Sequence, residues 1–213
     1  MNRETRRTTI AGPLGALACA IDEPPLADGS ALRGVAVLCH PHPLFGGTMD
    51  NKVVQTLARA FVQLGYRAVR FNVRGVDGSA GVLEQVFDNG QGETDDALAV
   101  IAAHRVDGLP LALAGFSFGS FVAAQAAARL AAANAPAERL ALVGPATSRF
   151  ALPTVPADTV VIHGESDDVV PLQATFDWAR PQALPVIVLP GVGHFFHGQL
   201  PLLKSQLLQA WHR

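Results

Sequence analysis

The pentapeptide Gly115-Phe116-Ser117-Phe118-Gly119 is the segment of this chain best suited to chemistry. A serine hydroxyl is a poor nucleophile until a base takes its proton. Displayed on a sharp strand-to-helix turn, such a serine stands clear of a sheet, with the free N–H groups of a helix N-terminus behind it. Glycine two residues to either side lets strand and helix pack without a Cβ between them. The flanks fit this picture: Leu111–Gly115 is an unbroken apolar run, and Ser120–Ala133 is rich in alanine. The bare pattern also describes a glycine-rich turn with an incidental serine, so its meaning depends on partners elsewhere in the chain.

A base for Ser117 should be a histidine, oriented in turn by a carboxylate. On a parallel sheet built this way the chain order is serine, acid, histidine, each just past a strand end. Val160–Ile162 runs into His163-Gly164-Glu165-Ser166-Asp167-Asp168, and Val186–Leu189 runs into Pro190-Gly191-Val192-Gly193-His194. We read Asp167 as the acid. Asp168 suits a cap on the helix after Pro171, and Glu165 is a third candidate. His194 is the expected base, because it stands in a glycine-rich turn directly after its strand, whereas His197 lies close to the final helix. The reaction also needs two N–H donors for a developing oxyanion. One is the amide of Phe118, next after the serine. The other should come from His40-Pro41-His42-Pro43-Leu44, where the prolines have no N–H to give. His42 is the first choice and Leu44 the second.

These residues need a scaffold, and the chain supplies alternating short apolar runs and longer amphipathic segments, the signature of βαβ units. The opening reads as a hairpin, Thr5–Ala11 and Ala16–Asp22, turning at Gly12-Pro13. Strands are expected at Val35–Cys39, Tyr66–Val73, Leu111–Gly115, Leu140–Val143, Val160–Ile162 and Val186–Leu189. Helices are expected at Asn51–Leu64, Glu93–His104, Ser120–Ala133, Leu172–Ala179 and Leu200–Trp211, the fourth begun by Pro171. The segment between Val143 and Val160 carries Pro145, Pro153 and Pro156 and has no room for a cap domain. The reading is therefore one α/β domain over residues 1–213, with about eight strands, helices on both faces and an open site.

Bulk properties narrow the function. The 213 residues are 49% hydrophobic and 16% charged, which argues for a compact core and against disorder. The net charge of −2 and the scattered arginines, apart from Arg3, Arg6 and Arg7, speak against nucleic acid as a partner. Two cysteines, Cys19 and Cys39, are too few for a disulfide framework and read as buried thiols. Residues Ile10–Ile21 after Arg6 and Arg7 resemble an export signal faintly. Glu4 and the break at Gly12-Pro13-Leu14-Gly15 oppose it, and cleavage would remove two strands, so a cytoplasmic location is expected. No apolar run approaches the ~20 residues of a membrane span.

Other groups admit other readings. His40 and His42 form an H-x-H that could contribute to a zinc site with His194, His197 or Asp167, but metal would compete with the serine's partners for His194. Glu93, Asp95 and Asp96 read as acidic dressing of a helix N-terminus rather than a catalytic pair. Arg70 and Arg74 could meet an anionic substrate or form structural ion pairs. The phenylalanines at 45, 116, 118, 195 and 196 pack a core, some of them walling an acyl pocket.

Taken together, H-P-H-P-L-F-G-G-T-M-D-N-K from His40, R-G-V-D-G-S-A-G from Arg74, G-F-S-F-G from Gly115, H-G-E-S-D-D-V-V-P from His163 and G-V-G-H-F-F-H-G from Gly191 resemble the small bacterial α/β-hydrolases related to the dienelactone-hydrolase branch. The resemblance implies an eight-stranded sheet, no cofactor, and Ser117, Asp167 and His194 as triad. Dienelactone hydrolases proper carry cysteine where Ser117 stands. Similar small hydrolases usually have glycine where Asp77 stands, which predicts a locally altered Arg74–Gly81 loop. The expected function is hydrolysis of a small carboxylic ester through an acyl-enzyme, without metal or membrane partner and with a homodimer admissible. The same machinery could serve a thioester, a lactone or a small amide, and the fold alone would also admit a non-catalytic binding protein.

Overall fold

The computed structural model describes residues 5–25 and 31–211, so Arg3 and Glu4 lie outside the described residues. The chain opens with β1 (Arg6–Gly12) and β2 (Gly15–Asp22), paired antiparallel with Ala11 opposite Ala16. There follow β3 (Gly34–Cys39), α1 (Lys52–Gln63), β4 (Tyr66–Phe71), α2 (Leu83–Val86) and α3 (Gln91–His104). After these come β5 (Leu111–Phe116), α4 (Phe118–Ala132), β6 (Arg139–Val143), β7 (Val160–Gly164), α5 (Leu172–Ala179), β8 (Val186–Leu189) and α6 (Leu200–Trp211). The strands form one eight-stranded sheet in the order β1-β2-β4-β3-β5-β6-β7-β8. Only β2 runs against its neighbours; the pairings from β4 across to β8 are parallel.

The period of two in the strands divides the core into two layers. Val35, Val37 and Cys39 face α3 and α4, while Ala36 and Leu38 face α1 and α6. The stripe Val53, Val54, Leu57 and Phe61 is wholly buried, which is why α1 forms and lies where it does. Asn51 caps that helix by accepting the N–H of Val53 at 2.9 Å. The far end of α6 is fastened by the edge-to-face rings of Phe61 and Trp211, 4.9 Å apart. No helix among the described residues is long and apolar enough to cross a membrane.

Several boundaries differ from the sequence expectation for identifiable reasons. β4 ends at Phe71 rather than Val73, because the Asn72 N–H turns to Ala18 O and the Val73 N–H to His40 Nε2. α4 begins at Phe118 rather than Ser120, since the whole turn is made within Ser117. α3 begins at Gln91 rather than Glu93, after Gly90 at φ 99°. Pro171 is the residue before α5, not its first turn. The altered loop expected at Asp77 does not arise from its backbone. Gly75, Gly78 and Gly81 take the positive φ values there and Asp77 does not, so the turn needs no glycine at 77.

Candidate active site

The turn between β5 and α4 explains both glycines of the pentapeptide. A Cβ on Gly115 would lie 2.1 Å from Gly119 O, and one on Gly119 would lie 2.2 Å from Cys39 O. Any side chain at either position would force β3, β5 and α4 apart. Ser117 itself holds φ 56° and ψ −119°, a conformation that L residues adopt only under constraint. The constraint is visible: the Ser117 N–H donates to Val143 O at 2.9 Å, and Ser120 Oγ donates to Gly115 O at 2.8 Å.

Two loops from strands further along the sheet deliver partners to this serine. The loop after β8 carries His194, whose Nε2 lies 3.0 Å from Ser117 Oγ. The loop after β7 carries Asp167, whose Oδ2 lies 2.7 Å from His194 Nδ1. The Ser166 N–H donates to Val192 O and the Glu165 N–H to Leu189 O, so the two loops are fixed to one another by backbone. Ser117, Asp167 and His194 are 9%, 8% and 3% exposed, sheltered enough for their mutual contacts to be little weakened by water. The Phe116 ring, 5.0 Å from that of His194, backs the imidazole.

Burial alone would raise the Asp167 carboxyl, but the donors around it hold it below the usual carboxylate range. Those donors are His194 Nδ1 and the N–H groups of Val170 and Val169, at 2.7, 2.7 and 3.0 Å. A second imidazole stands on the far side. His163 Nε2 donates to Val170 O at 2.9 Å and lies 3.4 Å from Asp167 Oδ2. Its Nδ1 lies 3.2 Å from Thr175 Oγ1. Burial holds this histidine below its ordinary pKa. The sequence reading gave His163 no role; its place at the last buried turn of a strand, four residues before Asp167, was the available signal.

The alternatives weighed for acid and base fall elsewhere. Asp168 is exposed and does not cap α5, whose preceding residue Pro171 offers no side-chain cap. The carboxylate that binds the adjacent amides is Asp167 itself. Glu165 is exposed and tethers the neighbouring turn by accepting the Gly191 N–H at 2.8 Å. His197 is exposed beside Phe195.

His40 and His42 divide their labour. His40 is buried, with Nδ1 donating to Pro41 O at 2.6 Å and Nε2 accepting the Val73 N–H, so both ring nitrogens are engaged in holding the loop. Burial pushes it down to about 4. The His42 ring packs between those of Phe45, Phe87 and Phe118 at 4.8 to 4.9 Å, and burial followed by the charge of Arg149 keeps it below its ordinary pKa. The His42 carbonyl accepts the N–H groups of Phe45 and Gly47, closing a one-turn 3-10 helix at Pro43–Phe45. Phe118 is the first residue of α4, where an N–H has no acceptor within the helix.

These loops enclose a cavity of about 300 Å³ lined by His42, Phe45, Gly47, Asn51, Ser117, Arg149, Val169, His194 and Phe195. Leu44 does not line it. The phenylalanines separate by exposure: Phe116, Phe118 and Phe196 are core, while Phe45 and Phe195 stand at the rim, 74% and 46% exposed. Asn51, Val169 and Arg149 were not foreseen as lining residues.

Arg70 and Arg74 take the structural ion-pair reading, and most of the acidic trio is internal. Arg70 pairs with Asp22 and Arg74 with Asp96, both inside the protein. Glu93 and Asp96 are fully buried, and only Asp95 is a solvated member of the trio, paired with Arg129. Cys19 and Cys39 are free and buried, and burial pushes their thiols up to about 11 and about 12.

Comparison with known proteins accords with this geometry. No family model matches the chain. An uncharacterized protein of Rickettsia prowazekii (strain Madrid E) is 31% identical over 178 residues, covering 76% of this chain and 71% of that protein. A crystal structure of an α/β serine hydrolase without lid from Xanthomonas campestris superposes with a TM-score of 0.87 at 38% identity, over 100% of this chain and 96% of that one. An α/β serine hydrolase homologue from Coxiella burnetii superposes with a TM-score of 0.82 at 36% identity, over 96% of each chain. With the eight-stranded sheet, the serine elbow and the short connection between β6 and β7, these likenesses place the chain in the family of lid-less α/β serine hydrolases.

Proposed function

We propose that this hydrolase cleaves small carboxylic esters with Ser117, His194 and Asp167 as its triad. The observation that carries the reading is the continuous chain of contacts from Ser117 Oγ through His194 to Asp167, at 3.0 and 2.7 Å. Ser117 attacks the substrate carbonyl while His194 Nε2 takes its proton. The tetrahedral intermediate collapses as His194 returns that proton to the leaving alcohol. Water then enters, loses a proton to His194 and releases the acid. Asp167, kept ionised by its donors, orients the imidazole and stabilises its protonated form.

The amides of Phe118 and His42 are the proposed oxyanion donors, and His42 is favoured over Leu44 because only His42 faces the cavity beside Ser117. A cavity of about 300 Å³ with an aromatic rim suits an ester of modest size. The reading calls on no metal or organic cofactor. Thioesters, lactones and small amides would meet the same groups.

The test has two parts. A fluorophosphonate should label Ser117 in the folded wild type and leave Ser117→Ala unlabelled. A panel of neutral esters of increasing acyl length should be turned over by the wild type, and Ser117→Ala should lose at least ~10³-fold in kcat while keeping its thermal transition. A folded wild type that neither labels nor turns over any ester would contradict the proposal and favour a non-catalytic binding role.

A further inference from the structure

The pocket contains one charge that the fold leaves unspent. Arg7, Arg67, Arg70, Arg74, Arg129 and Arg180 each meet a carboxylate within 3.1 Å. Arg149 meets none among the described residues. It is exposed, and its guanidinium lies over the ring of Phe45, 5.8 Å from the centroid. That contact leaves the in-plane N–H fork free, and a guanidinium over an aromatic face has fewer orientations to lose on binding an anion.

The position of Arg149 matters as much as its freedom. It lines the main cavity with Ser117 and His194, and it also lines a smaller hollow of about 40 Å³ with Ser117, Phe150 and Val169. Among the described residues it is the only Lys, Arg, Asp or Glu on either lining. The remaining described walls are mostly apolar and carry no carboxylate, Asp167 lying behind the His194 ring. The field of Arg149 already reaches the oxyanion loop, where it adds to burial in disfavouring a charged His42. An isolated cation in an apolar site beside the reactive serine selects for anions and gives neutral substrates little.

We propose that Arg149 is a specificity-determining residue, and that the preferred substrate is a small ester bearing a carboxylate a few bonds from the scissile carbonyl. The carboxylate would accept two N–H bonds from the guanidinium while the ester carbonyl sits at Ser117. This inference rests on the esterase reading above. Arg70 and Arg74, the cations that sequence alone suggested for such a role, are consumed by Asp22 and Asp96.

The experiment uses matched pairs of esters, each a neutral compound and its carboxylate-bearing counterpart of equal length. In one pair the carboxylate is on the acyl half, in the other on the alcohol half. The readout is the ratio of kcat/KM for the anionic member over the neutral one, at low salt, for wild type, Arg149→Met, Arg149→Lys and Arg149→Glu. In at least one pair the ratio should fall by ~10-fold or more in Arg149→Met, fall less in Arg149→Lys and fall furthest in Arg149→Glu. The pair that responds tells which half of the ester carries the anion. Raising the salt should lower the wild-type ratio and leave that of Arg149→Met unmoved. Ratios equal in wild type and Arg149→Met for both pairs, with turnover still abolished by Ser117→Ala, would overturn the role of Arg149 alone. Absence of any turnover or fluorophosphonate labelling in the wild type would overturn the esterase reading and this inference with it.

Discussion

Asp167, in the loop after β7, and Glu93, in the first turn of α3, are both buried carboxyl groups, 8% and 0% exposed, and they titrate in opposite directions. Asp167 is surrounded by donors, the imidazole of His194 and two backbone N–H groups, and stays ionised. Among the described residues, none offers a well-formed hydrogen bond to either oxygen of Glu93. Burial, with the carboxylate of Asp88 nearby, pushes it up to about 7, and Arg74, whose charge opposes that rise, is already held by Asp96 at 2.8 Å. The lesson is that depth does not decide the charge of a buried acid; the count of donors aimed at it does. One carboxyl is held by donors that include an imidazole, the other is tolerated.

The largest test of this contrast removes the oriented charge. Asp167→Asn should lower kcat/KM on the best ester by ~10⁴-fold with the fold retained, because the neutral amide can hold the imidazole in the wrong tautomer. Loss of the same size in Asp168→Asn would erase the assignment. Next in size, Arg74→Met strands Asp96 as an unpaired charge and should destabilise the protein by ~3–5 kcal/mol in urea unfolding at neutral pH. An unchanged midpoint would mean that the pair contributes nothing.

Glu93→Gln should act more gently and with a definite sign. A carboxyl raised from 4.5 to about 7 is neutral in both states at low pH, and the folded protein loses stability as pH rises through 7. The variant should therefore match the wild type near pH 4.5 and exceed it by ~1–3 kcal/mol at pH 8. Asp167 has the reverse sign, since its stabilisation is present at neutral pH and is lost in acid. Parallel stability profiles for Glu93→Gln and wild type would remove the contrast. The smallest effect belongs to Asp168→Asn, where loss of an exposed carboxylate should change stability by less than ~0.5 kcal/mol.

The parts of the site that sequence reveals are those tied to regular structure. Ser117, Asp167 and His194 each follow an apolar strand, and strand ends on a parallel sheet converge, so their chain order carried spatial information. α5, β8 and α6 match their expected bounds because the apolar period starts and stops sharply there. Arg149 lies in the proline-rich connection after β6, which has no period, and nothing local tells that its side chain faces Ser117. The same limit applies to Glu93. Acidic residues in a first turn are usually solvated, and its burial depends on what packs over that turn, not on α3 itself. Asp167, read from sequence as the acid, contacts His194 and also takes the capping bonds that sequence reasoning gave to Asp168, since one carboxylate has lone pairs enough for both.

The backbone at Ser117 sets robustness against reactivity. A residue with a side chain held at φ 56° there costs the native state ~1–3 kcal/mol that glycine would not. Glycine at 117 would give a hardier protein without the hydroxyl on which the proposed chemistry depends. Directed evolution for heat resistance alone would drift toward that inert solution. Selection that scores turnover and endurance together should leave 117 untouched and draw its gains from positions such as 93, where strain serves no reaction.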